Sequence, residues 1–527
     1  MPSSSQTDAA NVAQLQLNDA RNHAIWRWAN VKNLDIFLTE VYDYYTGKGL
    51  YNILLMRAIN LATFAFVIGF SIYLGSCIDF SLIRTSHKLT EVEVPHCMSR
   101  LGGFSKFCLW ILTLIWFVRL VDYIIDVPRL LHIRDFYLHL LGINNSDIQT
   151  ISWHQVAAQI MLLRDDNPLT SATAQRKYLG HMSKERMEER DIAHRIMRRD
   201  NYYIAMINKD ILDFSIPLPF CQNQRWLTRS LKFNLDICIM DYVFNSQGQI
   251  NSTILKYDKR KELSEALRRR FIIAGAFSLV FAPFFMIYLS LLYFFQYFDE
   301  YHKNPGSFSA RQYSSFAEWK FREYNELYHS FRRRLDLSCY PATEYVNQFP
   351  KEMLNQIMRF VVVVAGAFAA VLAVVTIIDP EVFLGFEITP DRNVLFYIGV
   401  FGSLLAAARS MIQDERLVYD PEANLRYVAE FTHFLPSEWS GRLHTEEVKN
   451  EFTTYYCLKI VLILQEMLSM IITPFVLWFS LTNSCDKIID FFRDCSLYED
   501  GLGYVCTFAV YDFSKKPRLN RMHRNRS

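Results

Sequence analysis

The sequence predicts a mainly α-helical, polytopic integral membrane protein with four transmembrane helices, two re-entrant in-membrane helices and a large cytosolic helical region. Three observations carry this. Hydrophobic residues make up 51% of the 527 residues and charged residues only 21%, with 41 Phe and 29 Tyr, so intrinsic disorder is excluded for most of the chain. Several uncharged runs are long enough to cross a hydrocarbon core of about 30 Å. Two others are too short or carry a proline at mid-depth, which suits partial insertion. Lys and Arg number 56 against 54 acidic residues, and so even a balance excludes the basic footprint of a nucleic-acid binder.

In chain order, residues 1–33 read as a flexible, polar N-terminus. It lacks the basic-then-apolar pattern of a secretory leader, so the first span is expected to act as an uncleaved anchor. Segment 34–126 opens with the amphipathic stretch LDIFLTEVYDYYTGKGL, stopped by Gly47 and Gly49, and continues into the first two spans. Ala58 to Ile78 is 21 residues without a charge; Phe107 to Ile125 is apolar for its first 12 residues and then carries Arg119 and Asp122, neighbours on one helix face. Residues 127–270 form the cytosolic helical region, and its 174–215 stretch, dense in i, i+4 charge pairs, reads as solvated helix faces. Segment 271–378 supplies the third and fourth spans, Phe271–Phe298 and Phe360–Ile378, around a luminal loop at 299–358.

Segment 379–485 holds the two re-entrant helices with cytosolic helices between them. Residues 394–408 are too short to cross comfortably; in 460–482, Glu466 lies near the start and Thr473-Pro474-Phe475 breaks the middle, as expected of a helix-turn-helix entering and leaving one leaflet. Residues 486–527 are a C-terminal segment, with a short strand expected over Tyr504–Phe513, and a basic tail. Lys256, Lys259, Arg260, Lys261 and Arg268 to Arg270 crowd against the third span and mark the cytosolic face, which puts both termini in the cytosol. Arg332-Arg333-Arg334 inside the assigned luminal loop is a mild conflict. The ten cysteines contain no CxxC pair, so neither a zinc site nor a disulfide scaffold is indicated; Cys97 and Cys339, with Cys77 at the boundary, are the ones placed to meet a luminal oxidant.

HExxH, GxSxG, Walker-type and GxGxxG motifs are absent, and no metal or other cofactor is indicated. What remains is polar chemistry at membrane depth, where charges are costly and face a bundle interior or water. Arg119 and Asp122 read equally well as a structural pair, and Arg359 and Arg409, at run ends, as side chains snorkelling to the interface. Glu466 beside Thr473-Pro474 is the more suggestive case, because a carboxylate and freed backbone groups need a hydrated or protein-covered niche.

The stretches LDIFLTEVYDYYTGKGLYNILL from Leu34, DIAHRIMRRDNYYIAMINKDIL from Asp191, and LVYDPEANLRYVAEFTHFLPSEWSGRLHTEEVKNEF with KIVLILQEMLSMIITPFVLWF resemble the autophagy-related protein 9 family over roughly residues 30–513. The resemblance implies a domain-swapped homotrimer with four spans and two in-membrane helices per protomer. It also implies a passive, ATP-independent phospholipid scramblase, not an enzyme, that equilibrates lipids between leaflets as the autophagosome membrane expands, downstream of a bridge-like lipid-transfer protein and with autophagy scaffold proteins. The implied locations are autophagy vesicles, the preautophagosomal structure, and Golgi, endosomal or endoplasmic reticulum membranes. By position, His302-Lys303-Asn304 resembles the family's lateral-branch segment, and Thr389, Arg392 and Asn393 resemble pore-facing residues. With Arg119, Asp122, Arg409, Glu466 and Thr473 they are the lipid-path candidates. Two other classes stand beside the scramblase: a membrane-anchored vesicle scaffold that recruits autophagy partners without moving lipid, and, ranked lowest, an ion channel or secondary transporter built on broken helices.

Overall fold

The computed structural model describes residues 19–82, 88–166, 188–216, 225–303, 310–350, 352–378, 387–389, 392–412, 419–499 and 501–510. Six of its helices are long and apolar enough to cross a membrane: Leu50–Cys77, Ser105–His139, Tyr257–Phe298, Glu352–Ile378, Val394–Met411 and Lys459–Asp494. The amphipathic helix Leu34–Thr46 leads into the first of them. Asn33 caps it, accepting from the amides of Asp35 and Ile36, and Gly49, at φ +93°, turns the chain into Leu50–Ile72.

The six helices pack as three antiparallel pairs. In the first, Leu50–Ile72 lies against Gly103–His139: Arg57 meets Asp126 at 2.7 Å, and the Trp116 indole donates to the Leu61 carbonyl at 3.0 Å. In the second, Glu352–Ile378 pairs with Val394–Met411, with Phe368 stacked on Phe401 and Gly366 leaving room for Leu405. The third joins the 44-residue helix Arg260–Lys303, about 66 Å long, to the last apolar helix. Glu300 binds Lys459 at 2.8 Å at one end, and Arg260 holds Asp490 through two bonds of 2.6 Å at the other.

All three pairs hang from one polar-faced body with an aromatic-rich core. Segment 310–350 belongs to that body. Its strand Arg311–Tyr313 pairs with Tyr456–Leu458, its helix Tyr328–Gln348 packs on Pro421–Thr432, and its loop exchanges side-chain bonds between Asn325 and Asn201 at 2.8 and 3.0 Å. Arg322 reaches Asp200 at 3.0 Å, and Tyr42 bonds His329 at 2.9 Å. Residues that share a dry core cannot lie on opposite faces of a bilayer, so segment 310–350 sits on the same face as 188–254, which does not fit the luminal placement expected for 299–358. Both ends of Arg260–Lys303 therefore meet the same body. Hydropathy reports that a helix is apolar, but not whether it crosses.

Four further expectations change. The charge-dense 188–208 stretch is not a solvated face: Tyr202, Ile204, Ala205 and Met206 are fully buried in helix Arg198–Asn208. Pro474 does not open a turn. The helix Lys459–Phe475 runs on through a widened π turn, Val476–Ser480, and a 3₁₀ turn, Leu481–Ser484, into Cys485–Asp494, the widened turn absorbing the missing hydrogen bond. The expected strand at Tyr504 is Gly503–Cys506, paired with Ser496–Glu499, and gives way to the short helix Thr507–Val510. Cys77 and Cys97 form a disulfide across the loop between the first two apolar helices, whereas Cys339 is a free thiol inside the body.

The body is locked by one carboxylate. Asp35 accepts from Arg195 at 2.5 Å, Arg198 at 3.0 Å and Gln249 at 2.9 Å, and the two guanidiniums go on to the carbonyls of Gly501, Leu502 and Tyr504. The Arg198 side chain is 3% exposed. Asp35→Ala strands two buried cations and is expected to cost about 3–5 kcal/mol, read as a lowered thermal unfolding midpoint of the detergent-solubilised chain. Nearby, His194 is buried, with the Asn325 amide donating to Nε2 at 3.3 Å, and burial pushes its pKa from 6.5 down to about 4. The unfolded chain takes up this proton between those two values and the folded chain does not, so stability is lost as pH falls through that window and is complete above it. The loss is about 3 kcal/mol in full. A His194→Gln variant is expected to show a flatter unfolding midpoint between pH 7 and pH 4.5.

Candidate lipid path

A polar side chain on an apolar helix must find a partner or face water, because an unsatisfied group in hydrocarbon costs several kcal/mol. On Lys459–Phe475 three such groups, Glu466, Ser469 and Thr473, recur at helical spacing and form one stripe. Each member has a protein partner. Glu466 Oε1 accepts the Arg229 amide at 3.1 Å, Ser469 bonds the Thr228 hydroxyl, and Thr473 bonds Ser469 at 3.1 Å. Thr228 in turn caps helix Arg229–Leu235, its hydroxyl accepting from the Leu231 amide. Glu466 and Thr473 thus belong to a seam that docks the polar body onto the membrane helix, with Thr473 fully buried.

Beyond Pro474 the widened turn presents Trp478, whose indole donates to the Ile272 carbonyl at 3.0 Å. The ring lies where a side chain on residue 275 would stand, so only glycine fits there. That close approach is what lets the last apolar helix run flush along Arg260–Lys303.

The other candidates lie elsewhere. Thr389, Arg392 and Asn393 gather at the hairpin Glu387–Thr389 with Arg392–Asn393, where Thr389 bonds the Tyr397 hydroxyl at 2.8 Å and the Arg392 guanidinium sits 4.2 Å above the Phe396 ring. Thr389 and Arg392 are exposed, and Asn393 is half-buried. Arg409 is exposed near the far end of the same helix, so Val394–Met411 carries a guanidinium at each end. Arg119 and Asp122 are both exposed on Gly103–His139 and form no ion pair with each other. The pair that joins the first two membrane helices is Arg57 with Asp126, which bracket the two apolar runs; their flanking positions were the available signal. His302 and Lys303 end the long helix, and Asn304 lies outside the described residues. Within one chain the candidates therefore form a partnered seam, an open hairpin tip and scattered exposed charges. Among the described residues no hydrogen bond or ion pair joins one group to another. Thr228 and Ser469 were missed, because a buried hydroxyl pair between segments 241 residues apart leaves no local pattern.

Six apolar helices in antiparallel pairs beneath a single polar body define a multi-pass membrane protein. Residues 26–512 match the family described as Autophagy protein ATG9, and the chain belongs to that family. It is 51% identical over 500 residues to autophagy-related protein 9 of Penicillium rubens, covering 94% of this chain and 53% of the relative. It is 52% identical over 503 residues to the protein of that name from Yarrowia lipolytica, covering 94% of this chain and 63% of the relative. The chain thus spans about half the length of the first of these relatives. The cryo-EM structure of Schizosaccharomyces pombe Atg9 is similar with a TM-score of 0.70 and 39% identity, covering 92% of this chain and 100% of that one.

Two outcomes check the seam. Glu466→Gln keeps an acceptor for the Arg229 amide and is expected to leave the unfolding midpoint within error, whereas Glu466→Leu removes that hydrogen bond and costs about 0.5–1.5 kcal/mol. Gly275→Val is expected to part the two helices, read as exposure of Trp478 to an aqueous quencher.

Proposed function

We propose that this chain is a passive phospholipid scramblase that equilibrates lipids between leaflets during autophagosome membrane growth. The observation that carries the reading is the pair Arg260–Lys303 and Lys459–Asp494, tied to each other at both ends, with the body's strand Arg311–Tyr313 against one end and its core around Leu263, Leu267 and Phe492 at the other. Continuous helices held to the body at both ends run half-inserted along one face of the bilayer and do not cross it. On this reading the four spans are Leu50–Cys77, Gly103–His139, Glu352–Ile378 and Val394–Met411, with 271–298 and 394–408 exchanging the roles expected of them. Val394–Met411 measures about 27 Å, somewhat less than a hydrocarbon core of about 30 Å. It carries Arg392 and Arg409 toward opposite surfaces, an arrangement suited to a locally thinned bilayer.

A thinned bilayer beside half-inserted helices lowers the cost of moving a head group across, and exposed side chains supply stepping points. Arg392, Thr389 and Asn393 serve one leaflet and Arg409 the other, with Arg119, Asp122 and His302 to Asn304 as further polar contacts. Glu466 and Thr473 hold the seam and touch no lipid. No ATP is needed, since lipids move down their own gradient. Family membership supports a homotrimer with domain-swapped helices, partnership with a bridge-like lipid-transfer protein and autophagy scaffold proteins, cytosolic termini, and residence on autophagy vesicles, the preautophagosomal structure, and Golgi, endosomal or endoplasmic reticulum membranes.

A scaffold reading draws on the body itself, which has a cavity of about 540 Å³ between Trp153, His154, Arg190 and His329. Dithionite bleaching of head-group-labelled lipid in proteoliposomes separates the two. Near-complete bleaching is expected with the wild-type chain, and a rate at least about fivefold lower with Arg392 and Arg409 both changed to Leu. Bleaching that stops near the outer-leaflet half in the wild type, with intact vesicles, leaves the scaffold.

A further inference from the structure

A second lipid-facing feature lies away from these residues. Helix 19–29 folds over the far end of Gly103–His139 and encloses a cavity of about 300 Å³. One wall is aromatic: Trp28, Phe37 and Phe136 meet with ring centroids 4.9 to 5.6 Å apart. The opposite wall carries Arg27, His23 and His132. The two acidic side chains of the lining are already engaged, Glu40 by Arg129 and Asp135 by Arg134. Arg27 is half-buried, and its side chain makes no ion pair or hydrogen bond among the described residues. Trp28 is 2% exposed, and its indole N–H is buried with no acceptor. Unused donors facing an apolar wall are unusual, because buried polar groups are almost always paired.

Depth identifies the ligand class. The Arg57–Asp126 pair marks where the apolar stretches of the first two membrane helices end, and His132 lies six residues further along its helix, about 9 Å. That puts His132 at the outer edge of the head-group layer, since the difference between a hydrocarbon core of about 30 Å and a full bilayer of about 40–45 Å leaves about 5–7.5 Å on each face. We propose that this cavity binds the phosphate-bearing head group of an anionic phospholipid from the leaflet on the body's side. The phosphate would lie among Arg27, His132 and the Trp28 N–H, and the glycerol with its first methylenes against Phe37 and Phe136. The site is separate from the path in which lipids are moved, and it does not depend on scrambling. It holds one lipid as a ligand, and through helix 19–29 it ties the start of the chain to the membrane surface.

The test is binding of dioctanoyl phosphatidic acid to the full chain in non-ionic detergent, followed by microscale thermophoresis. Dioctanoyl phosphatidylcholine and inorganic phosphate serve as the other ligands. Phosphatidic acid is expected to bind at least about tenfold more tightly than either, with Arg27→Ala losing at least about tenfold of that affinity and Trp28→Phe, which removes the N–H together with the fused five-membered ring, about fivefold. A single cooperative unfolding transition without lipid shows that both variants are folded, Trp28→Phe at a midpoint lowered by the lost packing. Equal affinity for phosphatidylcholine, or wild-type affinity in both variants, overturns the proposal. Inorganic phosphate binding as tightly as phosphatidic acid overturns the lipid assignment in favour of a free-anion site.

Discussion

The carboxylate of Asp35 is the constraint on which the rest of the body depends. It stands two residues inside the amphipathic helix that leads to the membrane, and it is reached by Arg195, Arg198 and Gln249. The same arginines clamp the carbonyls of the turn at 501–504, where a Cβ on Gly503 would collide with Gln249. A buried ion cluster of this kind stabilises little in net terms, since its desolvation offsets most of its attraction. Its effect is on specificity: three remote chain segments can meet in only one arrangement, because any other leaves a guanidinium buried and unpaired. The lead-in helix is thereby fixed in orientation, and with it the angle at which Leu50–Ile72 enters the bilayer.

Polar groups within the apolar helices divide into two sorts. Those of the seam, Glu466, Ser469 and Thr473, have found protein partners and behave as mortise and tenon between body and membrane. Those of the hairpin tip and the helix ends, Arg392, Thr389 and Arg409, are exposed and keep hydrogen-bonding capacity for solvent or head groups. The distinction is one of satisfaction and does not follow from residue type: a carboxylate, the costliest group to bury, lies on the partnered side because one backbone amide of a capped helix meets it.

Much of the helical content could be read directly. Uncharged runs located all six apolar helices, and Gly47 and Gly49 marked the end of the amphipathic one. Sidedness could not, because it was inferred by counting crossings, and one apolar helix counted as a crossing when it stays on one face puts the segment that follows it on the wrong side. The warning stood in Arg332-Arg333-Arg334, which the luminal assignment had to tolerate; Arg334 is in fact gripped by Glu326 through two bonds of 2.8 and 2.7 Å within the body. The site was half visible. Glu466 could be singled out as unusual, but its partner Arg229 lies 237 residues away, and no periodicity connects them. Pro474 marked a break correctly in chemistry and wrongly in shape, since a widened turn repaired it.

The Cys77–Cys97 bond carries a consequence for how the chain matures. A disulfide forms where an oxidant is present and is lost where glutathione keeps thiols reduced. A chain that carries the bond has therefore exposed this loop to an oxidant. A molecule that inserts its first two helices the wrong way round keeps both sulfurs as thiols. The bond thus acts as a chemical watermark of correct insertion, written once at birth and carried unchanged through every later fusion and budding of the membrane, since those events conserve which face is which.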